Sequence, residues 1–526
     1  MEKPSTRSLG TVQLRHEVTN EVILVPTPSN NPNDPLNWSN ARKYYILGLV
    51  SFGIFLVNFA AVGPSVALVS IAISFFGNGP HLANDISSKA SYFQTAAALM
   101  IGVGNLFWVP LAIKYGKRPV YVLSFVVFLV SCIWCGVAES FGSELAARII
   151  LGTACGAPEI VAPLTLTDMF FLHQRGTVMV IYTCALSCGV GAGVVISGLI
   201  TIHNSWRVIY WLCVALVGVT TMLVIFTFPE TSYKRQITAD ATHHVEAVED
   251  SPKVSETKVE ENVAPVPQRQ SYTQSLRIFT TTYTDESLFK LAVRQIFALA
   301  LPAVFWATLI SSVTIGMIVV ISANFSTAFS AIYGFETWQS GLTFIASIIG
   351  SLVAIFVGGH FTDFIADKLT LRNGGIRTPE MRLPALLVSL ISSPLACILY
   401  GIGCGKKLHW ICAVFGIGLV NFTTVQSTNI AIVYILDSYH PIGGEVIVTQ
   451  SVFKALFGFV LSFYVDQWID ESGYIRTFGT LAGISAAVFA CVIPFYFWGN
   501  QLRHKTWQWN FVKQLLHWNV DREVGE

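Results

Sequence analysis

The chain has 526 residues, of which 53% are hydrophobic and 12% charged, against about 45–50% apolar and about 25% charged in an ordinary globular protein. Soluble domains of this length would need far more Lys, Glu, Asp and Arg to coat their cores, so a string of soluble domains is excluded and lipid is left as the coat. With 32 Lys and Arg against 31 Asp and Glu, the net charge of +1 offers no basic face to nucleic acid.

The N-terminus is polar through Trp38, without a short apolar segment and a small-residue cleavage site, so no signal peptide is expected and the first span directs insertion. At roughly 20 apolar residues per bilayer crossing, twelve runs can be placed. They begin near Tyr44, Phe93, Pro119, Leu145, Thr177 and Val208, then near Leu291, Gly341, Leu383, Leu408, Val446 and Thr477. Between the two sets, Lys234 to about Lys290 is polar, mixed in charge and interrupted by Pro252, Pro265 and Pro267, the composition of a disordered linker. The expected fold is an all-α membrane protein of two six-helix bundles: tail 1–42, bundle 43–233, linker 234–290, bundle 291–500, tail 501–526.

Of the 10 cysteines, only Cys404 falls at a predicted loop, which is no disulfide framework. Cys132 and Cys135 have the spacing of half a zinc site but lack a second pair and a nearby His, and they read as small apolar residues. His203, His360 and His409 fall at span ends. Neither a metal nor another cofactor is expected. One alternating set of loops carries Lys114, Lys117, Arg118, Arg175, Lys368, Arg372, Arg377 and Arg382, while the other carries mainly Lys89, Lys406, Lys407 and Arg476. By the positive-inside rule both termini and the linker should face the cytosol, with the plasma membrane as the expected location.

The stretch Val109-Pro110-Leu111-Ala112-Ile113-Lys114-Tyr115-Gly116-Lys117-Arg118-Pro119, set in a six-plus-six plan with a charged central loop, resembles the signature between spans two and three of the major facilitator superfamily, Gly-x-Leu-x-Asp-Arg-x-Gly-Arg-Arg. Ile113 stands where the family carries Asp. Because that Asp anchors the latch between the halves, the resemblance implies a closed gate weakened on this side. The second copy, Gly359-His360-Phe361-Thr362-Asp363, keeps its acid. Arg148-Ile149-Ile150-Leu151-Gly152 resembles the fourth-span Arg-x-x-x-Gly signature. Asp34-Pro35-Leu36-Asn37-Trp38 and Asp168-Met169-Phe170-Phe171-Leu172-His173-Gln174-Arg175-Gly176 look like the fungal drug:proton antiporter branch, which includes polyamine and organic-cation carriers and exporters from secondary-metabolite clusters. The fifth-span antiporter signature is matched at Gly189, Gly193 and Gly198, but Val194 replaces its Pro and Ser197 a Gly. The resemblance implies gating roles for Lys114, Gly116, Lys117, Arg118, Asp168, Arg175 and Asp363.

Ionisable residues deep in a span are costly unless they face protein or a water-filled cavity. Two stand out: Glu159, roughly fourteen residues into the fourth span, and Lys454, roughly nine into the eleventh, which at about 1.5 Å per residue puts both near mid-membrane. Arg148, Gly152, Gly156 and Glu159 share one helical face, which groups Arg148 with Glu159 as a candidate substrate- or proton-site residue, although the two are about 16 Å apart and too distant to pair. A carboxylate that gains and loses a proton in such a cavity is what proton coupling requires. Asn58, Gln94, Asn105, Tyr182, Trp306, Gln426, Asn429, Gln450 and Tyr464 fall at similar depth; as a set they suggest an amphipathic cavity whose rings would favour an organic cation. Gly152 with Gly156, and Gly189 with Gly193, have the spacing of close helix packing, and Pro158, Pro163 and Pro302 can kink their helices.

These readings converge on a proton-coupled secondary transporter of small organic molecules, rocking two halves about a mid-membrane site and acting as a monomer in the lipid bilayer, with a small-molecule substrate and protons as its partners. Efflux of an organic cation, polyamine or fungal metabolite is the leading form, with uptake of a nitrogen-containing nutrient as the alternative and a transport-dead sensor as a third. An enzyme is not expected: an acyltransferase would need an in-span His with a polar partner, and a nucleotide-driven pump a Walker loop or phosphorylatable Asp motif.

Overall fold

A computed structural model describes residues 12–13, 24–26, 28–29, 31–67, 70–71, 74–75, 83–233, 271–279, 281–439 and 442–515. Residues 234–270 of the expected linker and 516–526 of the expected C-terminal tail lie outside the described residues.

Among the described residues, 12 helices are long and apolar enough to cross a membrane. The first six are Asn40–Ala67, Tyr92–Tyr115, Lys117–Val137, Phe141–Met169, Arg175–Ile200 and Arg207–Thr227. The second six are Pro302–Tyr333, Thr337–Arg372, Pro379–Gly405, Trp410–Ser438, Gly443–Val465 and Gln467–Trp507. Phe107, Val130, Met222, Phe226, Phe356, Ile391, Phe415 and Phe497 stand exposed on the outside, as a lipid-facing surface requires. Within the first half the second span packs on the fourth and the first on the fifth; within the second half the seventh packs on the eleventh and the ninth on the tenth.

The seventh span does not begin near Leu291. Leu288–Phe297 is a separate short helix, and the transmembrane helix starts at Pro302, whose ring has no N–H and holds Leu301 extended at φ −76°, ψ 121°. Helix direction alternates, so Lys114, Lys117, Arg118, Arg175, Arg377 and Arg382 collect at one end of the molecule, called the basic face below.

Two seams join the halves, one between the second and eleventh spans and one between the fifth and eighth. The first is closed near the basic face, where a Cβ on Gly444 would stand 3.5 Å from Ile113 Cδ1, and toward the other end, where the Tyr92 and Phe463 rings lie 5.5 Å apart. In the second seam a Cβ on Gly341 would stand 3.4 Å from Gly198 Cα. Nearer the basic face the eighth span makes a π-turn over Phe356–Phe361, which brings Gly359 against the fifth span; a Cβ there would be 2.7 Å from Val180 Cγ1. The molecule is therefore closed along both seams.

Such close approach makes some glycines irreplaceable. A Cβ on Gly350 would run into the Gly418 carbonyl, which is backbone and cannot move aside, whereas Gly48 has nothing within 4 Å. Gly350→Ala should lower stability by about 1–3 kcal/mol and Gly48→Ala should not lower it, as read from thermal unfolding in detergent.

Candidate functional site

Glu159 and Lys454, on the fourth and eleventh spans, form an ion pair across the two halves. Their side chains are only 7% and 16% exposed, so each charge has the other as its compensation in a low-dielectric interior. The local sequence prepares the acid's position. Pro163 has no N–H to donate to the carbonyl four residues back, which is that of Glu159; the Tyr182 hydroxyl of the fifth span donates to this carbonyl instead, at 2.6 Å. One turn before Lys454, the Gln450 amide donates to Ser311 Oγ of the seventh span. Beside it Ser451 Oγ accepts from Asn105 Nδ2 of the second span at 3.2 Å.

Glu159, Tyr182, Ser311, Thr428, Gln450, Ser451 and Lys454 line one cavity together with Ile160, Pro163, Ile432 and Ile447. Its free volume is about 20 Å³, room for about one water and far below the ~300–1,000 Å³ of a small-molecule pocket. The halves are closed on each other at this site, and a substrate requires them to part.

Four expected members lie elsewhere. Arg148 is tied to Glu144 at 3.3 Å, to the Ala61 carbonyl at 3.3 Å and over the Tyr210 ring at 5.2 Å. It binds the first, fourth and sixth spans together, since a guanidinium buried in a bundle needs its acceptors within reach. Trp306 donates its indole N–H to the Val488 carbonyl at 3.0 Å and stacks on Phe495 at 4.4 Å, inside the second half. Gln426 donates to the Ala385 carbonyl at 3.0 Å. Asn429 donates to the Gly358 carbonyl at 2.9 Å, in the π-turn where the regular ladder is interrupted. Of the aromatic residues expected there, only Tyr182 lines the cavity, so there is no cage of rings. Ser311, Thr428 and Ser451 were missed because hydroxyls are common in spans and carry no depth signal of their own.

The basic face is built from acceptors. Gly116, at φ 97°, turns the chain so that Glu230 accepts from the backbone N–H groups of Lys117 at 3.0 Å and Arg118 at 3.1 Å. Lys117 pairs with Asp168 and donates to the Leu164 carbonyl at 2.7 Å, and Arg118 donates to the Ile225 carbonyl at 2.8 Å. These contacts tie the third, fourth and sixth spans within one half. Between the halves, Asp363 accepts from Thr177 at 3.2 Å, and within its own half it pairs with Arg382 at 3.2 Å. Asp437 stands 3.7 Å from Arg175 of the other half and 3.6 Å from Arg382. Glu230 and Asp437 were missed; the signal for Glu230 was an acid just past the sixth span, level with the basic turn.

His173 is half-buried beside this cluster. Burial first and the Arg377 guanidinium second hold its imidazole below the usual range, with Asp367 and Asp363 partly offsetting. Arg377, itself buried next to Arg382, is lowered to about 10 and stays charged at neutral pH. The unfolded chain then binds a proton at His173 before the folded one does, so stability linked to neutral His173 is present above about pH 6.5 and lost as the pH falls below it. Thermal unfolding at pH 7.5 and 5.5 should show a smaller acid-induced loss for His173→Gln than for the wild type.

The comparisons with known proteins agree with this architecture. An uncharacterized MFS-type transporter of Schizosaccharomyces pombe is 25% identical, over 96% of this chain and 91% of that protein. Protein HOL1 of Saccharomyces cerevisiae is 24% identical over 93% and 91%, and Efflux pump radE of Floropilus chiversii 24% over 90% and 83%. Among solved structures, the human organic anion transporter MFSD10 superposes with a TM-score of 0.61 at 15% identity, over 86% of this chain and 99% of that one. The proton:xylose symporter XylE gives 0.59 at 13%, over 88% and 96%. These structural likenesses establish the fold. The profile of the Major Facilitator Superfamily matches residues 50–434, and the chain belongs to that family of multi-pass membrane transporters of small molecules.

Proposed function

We propose that the protein is a proton-coupled secondary transporter that exports small organic molecules by alternately exposing the Glu159–Lys454 cavity to the two faces of the membrane. The observation that carries this is the ion pair itself, which joins the two halves at a cavity lined from both of them. Protonating Glu159 removes the charge that holds Lys454, and a cationic group of a substrate competes for the same carboxylate. Proton and substrate are thereby exchanged at one site. The substrate class is an organic cation, polyamine or cationic fungal metabolite recognised by the carboxylate, with Ser311, Thr428 and Gln450 as hydrogen-bonding partners. Export is supported by the naming of the relative radE as an efflux pump. The protein acts as a monomer in the plasma membrane with its basic face toward the cytosol.

Glu159→Gln, which mimics the protonated acid, should abolish pH-driven transport while the protein still folds; a variant that still concentrates substrate against a gradient removes Glu159 from the mechanism. Lys454→Ala leaves the carboxylate alone and should destabilise the protein by about 3 kcal/mol, with much of that recovered in the Glu159→Gln, Lys454→Ala double variant. Uptake and efflux of labelled polyamines at two external pH values, in yeast lacking its own carriers, distinguish export from import. Tags at residue 1, in the linker near residue 260 and after residue 526 should all react with a cytosolic reagent, and protection of any one overturns the proposed orientation.

A further inference from the structure

Where the family carries an acid that latches the second span to the eleventh, this chain has Ile113, yet that seam is closed. The space around Ile113 holds residues 281–297, expected as the end of a disordered linker and the start of the seventh span but folded here against the spans as the exit of the linker. The Tyr283 amide donates to the Lys114 carbonyl at 2.9 Å, Lys114 Nζ donates to the Glu286 carbonyl at 3.1 Å, and the Tyr283 hydroxyl donates to the Ser232 carbonyl at 3.0 Å. All three bonds grip the first half. The segment then forms the helix Leu288–Phe297, begun by a Ser287 cap on the Lys290 amide. This helix touches both the second and the eleventh spans. The Thr449 hydroxyl of the eleventh span donates to the Gln295 carbonyl, and Leu291, fully buried, belongs to one apolar cluster with Ile442, Val446 and Ile113. The turn is held in shape by Arg294, 1% exposed, which grips the Glu286 carboxylate with two bonds of 2.7 and 3.1 Å.

We infer that residues 281–297 form a strap that latches the basic face on the second–eleventh seam, with Tyr283 and Lys114 as its grip and the Glu286–Arg294 pair as the positioning element, in place of the missing acid. The strap continues directly into the seventh span, so it travels with the second half. Opening the basic face moves the second span away from the eleventh and must break the three bonds to Lys114 and Ser232 and expose Leu291. Ile113 then has a physical reason: it packs, partly buried, against the cluster that contains Leu291, where an acid would give up apolar contact and part of its hydration. The weaker gate that the resemblance implies at Ile113 is replaced by a gate of another construction. The fifth–eighth seam keeps its acid, Asp363. The two seams of one face are thus closed by different devices, one belonging to the spans and one to the linker exit.

The inference rests on the proposed alternation between faces and not on proton coupling, so its test uses no substrate. Ile432→Cys places a thiol in the cavity wall, and a membrane-impermeant maleimide is added to sealed vesicles of either orientation, with labelling quantified by peptide mass spectrometry. Tyr283→Phe removes a single hydrogen bond and should raise labelling from the basic face about 2- to 10-fold. Arg294→Ala and Glu286→Gln should raise it at least as much, and Arg294→Lys, which keeps the charge pair, should restore most of the protection. Labelling from the opposite face should not rise in any of them. Unchanged basic-face labelling in Tyr283→Phe and Glu286→Gln, or an equal rise from both faces, overturns the strap as a latch. Absence of basic-face labelling in every variant, Ile432→Cys alone included, overturns the alternation and the strap with it.

Discussion

A carboxylate and an ammonium inside a bilayer hold each other there. Either charge alone is costly at that depth, and because Glu159 and Lys454 come from different halves, their mutual compensation is also a force between the halves. The surroundings follow from that constraint. Pro163 withholds a ladder hydrogen bond from the Glu159 carbonyl, Tyr182 supplies one from the neighbouring span, and the fourth span is thereby pinned to the fifth where the charge sits. Gln450 does the same for the eleventh span against the seventh. Five spans meet around one pair, with hydrogen bonds directed at backbone or hydroxyl groups that leave the two charged atoms to each other.

Away from the pair, closure relies on small residues and on directed acceptors. In lipid, burying one apolar helix face against another gives little net drive, so the seams use close approach at glycines and hydrogen bonds between halves. The Ser187 hydroxyl donates to Asn421 at 2.9 Å and accepts from Ser351 at 2.7 Å, joining the fifth, eighth and tenth spans. These contacts are modest one by one, which suits a protein that has to undo them. At the basic face they give way to guanidinium and carboxylate groups, whose geometry is more exacting and whose separation is more costly.

Much of this was legible in the sequence. The twelve apolar runs, the basic side and the two deep charges are properties of composition along a line, and depth follows from counting residues at a fixed rise. The matched depths of Glu159 and Lys454 were legible, and the pair they form fits the few alternatives an isolated charge has at mid-membrane. Trp306, Gln426 and Asn429 were placed at the cavity by the same depth argument and lie elsewhere, since depth says nothing about which way around the helix a side chain points or what it meets. Arg148 had a partner four residues earlier in Glu144, a local signal that outweighed the shared face with Glu159.

The sequence by itself determined the membrane class, the number of spans and the level at which charge is buried, because burial in lipid is decided by local hydropathy. Only the tertiary structure decided which spans face each other, which hydroxyls complete the cavity, that the run near Leu291 is a separate helix laid across the second and eleventh spans, and that Glu230 and Asp437 serve the basic face. Those depend on helix rotation and on contacts between residues far apart in the chain. The physical reason is that a hydrogen bond or an ion pair is satisfied by any partner within about 3–4 Å, and separation along the sequence does not say which residue that will be.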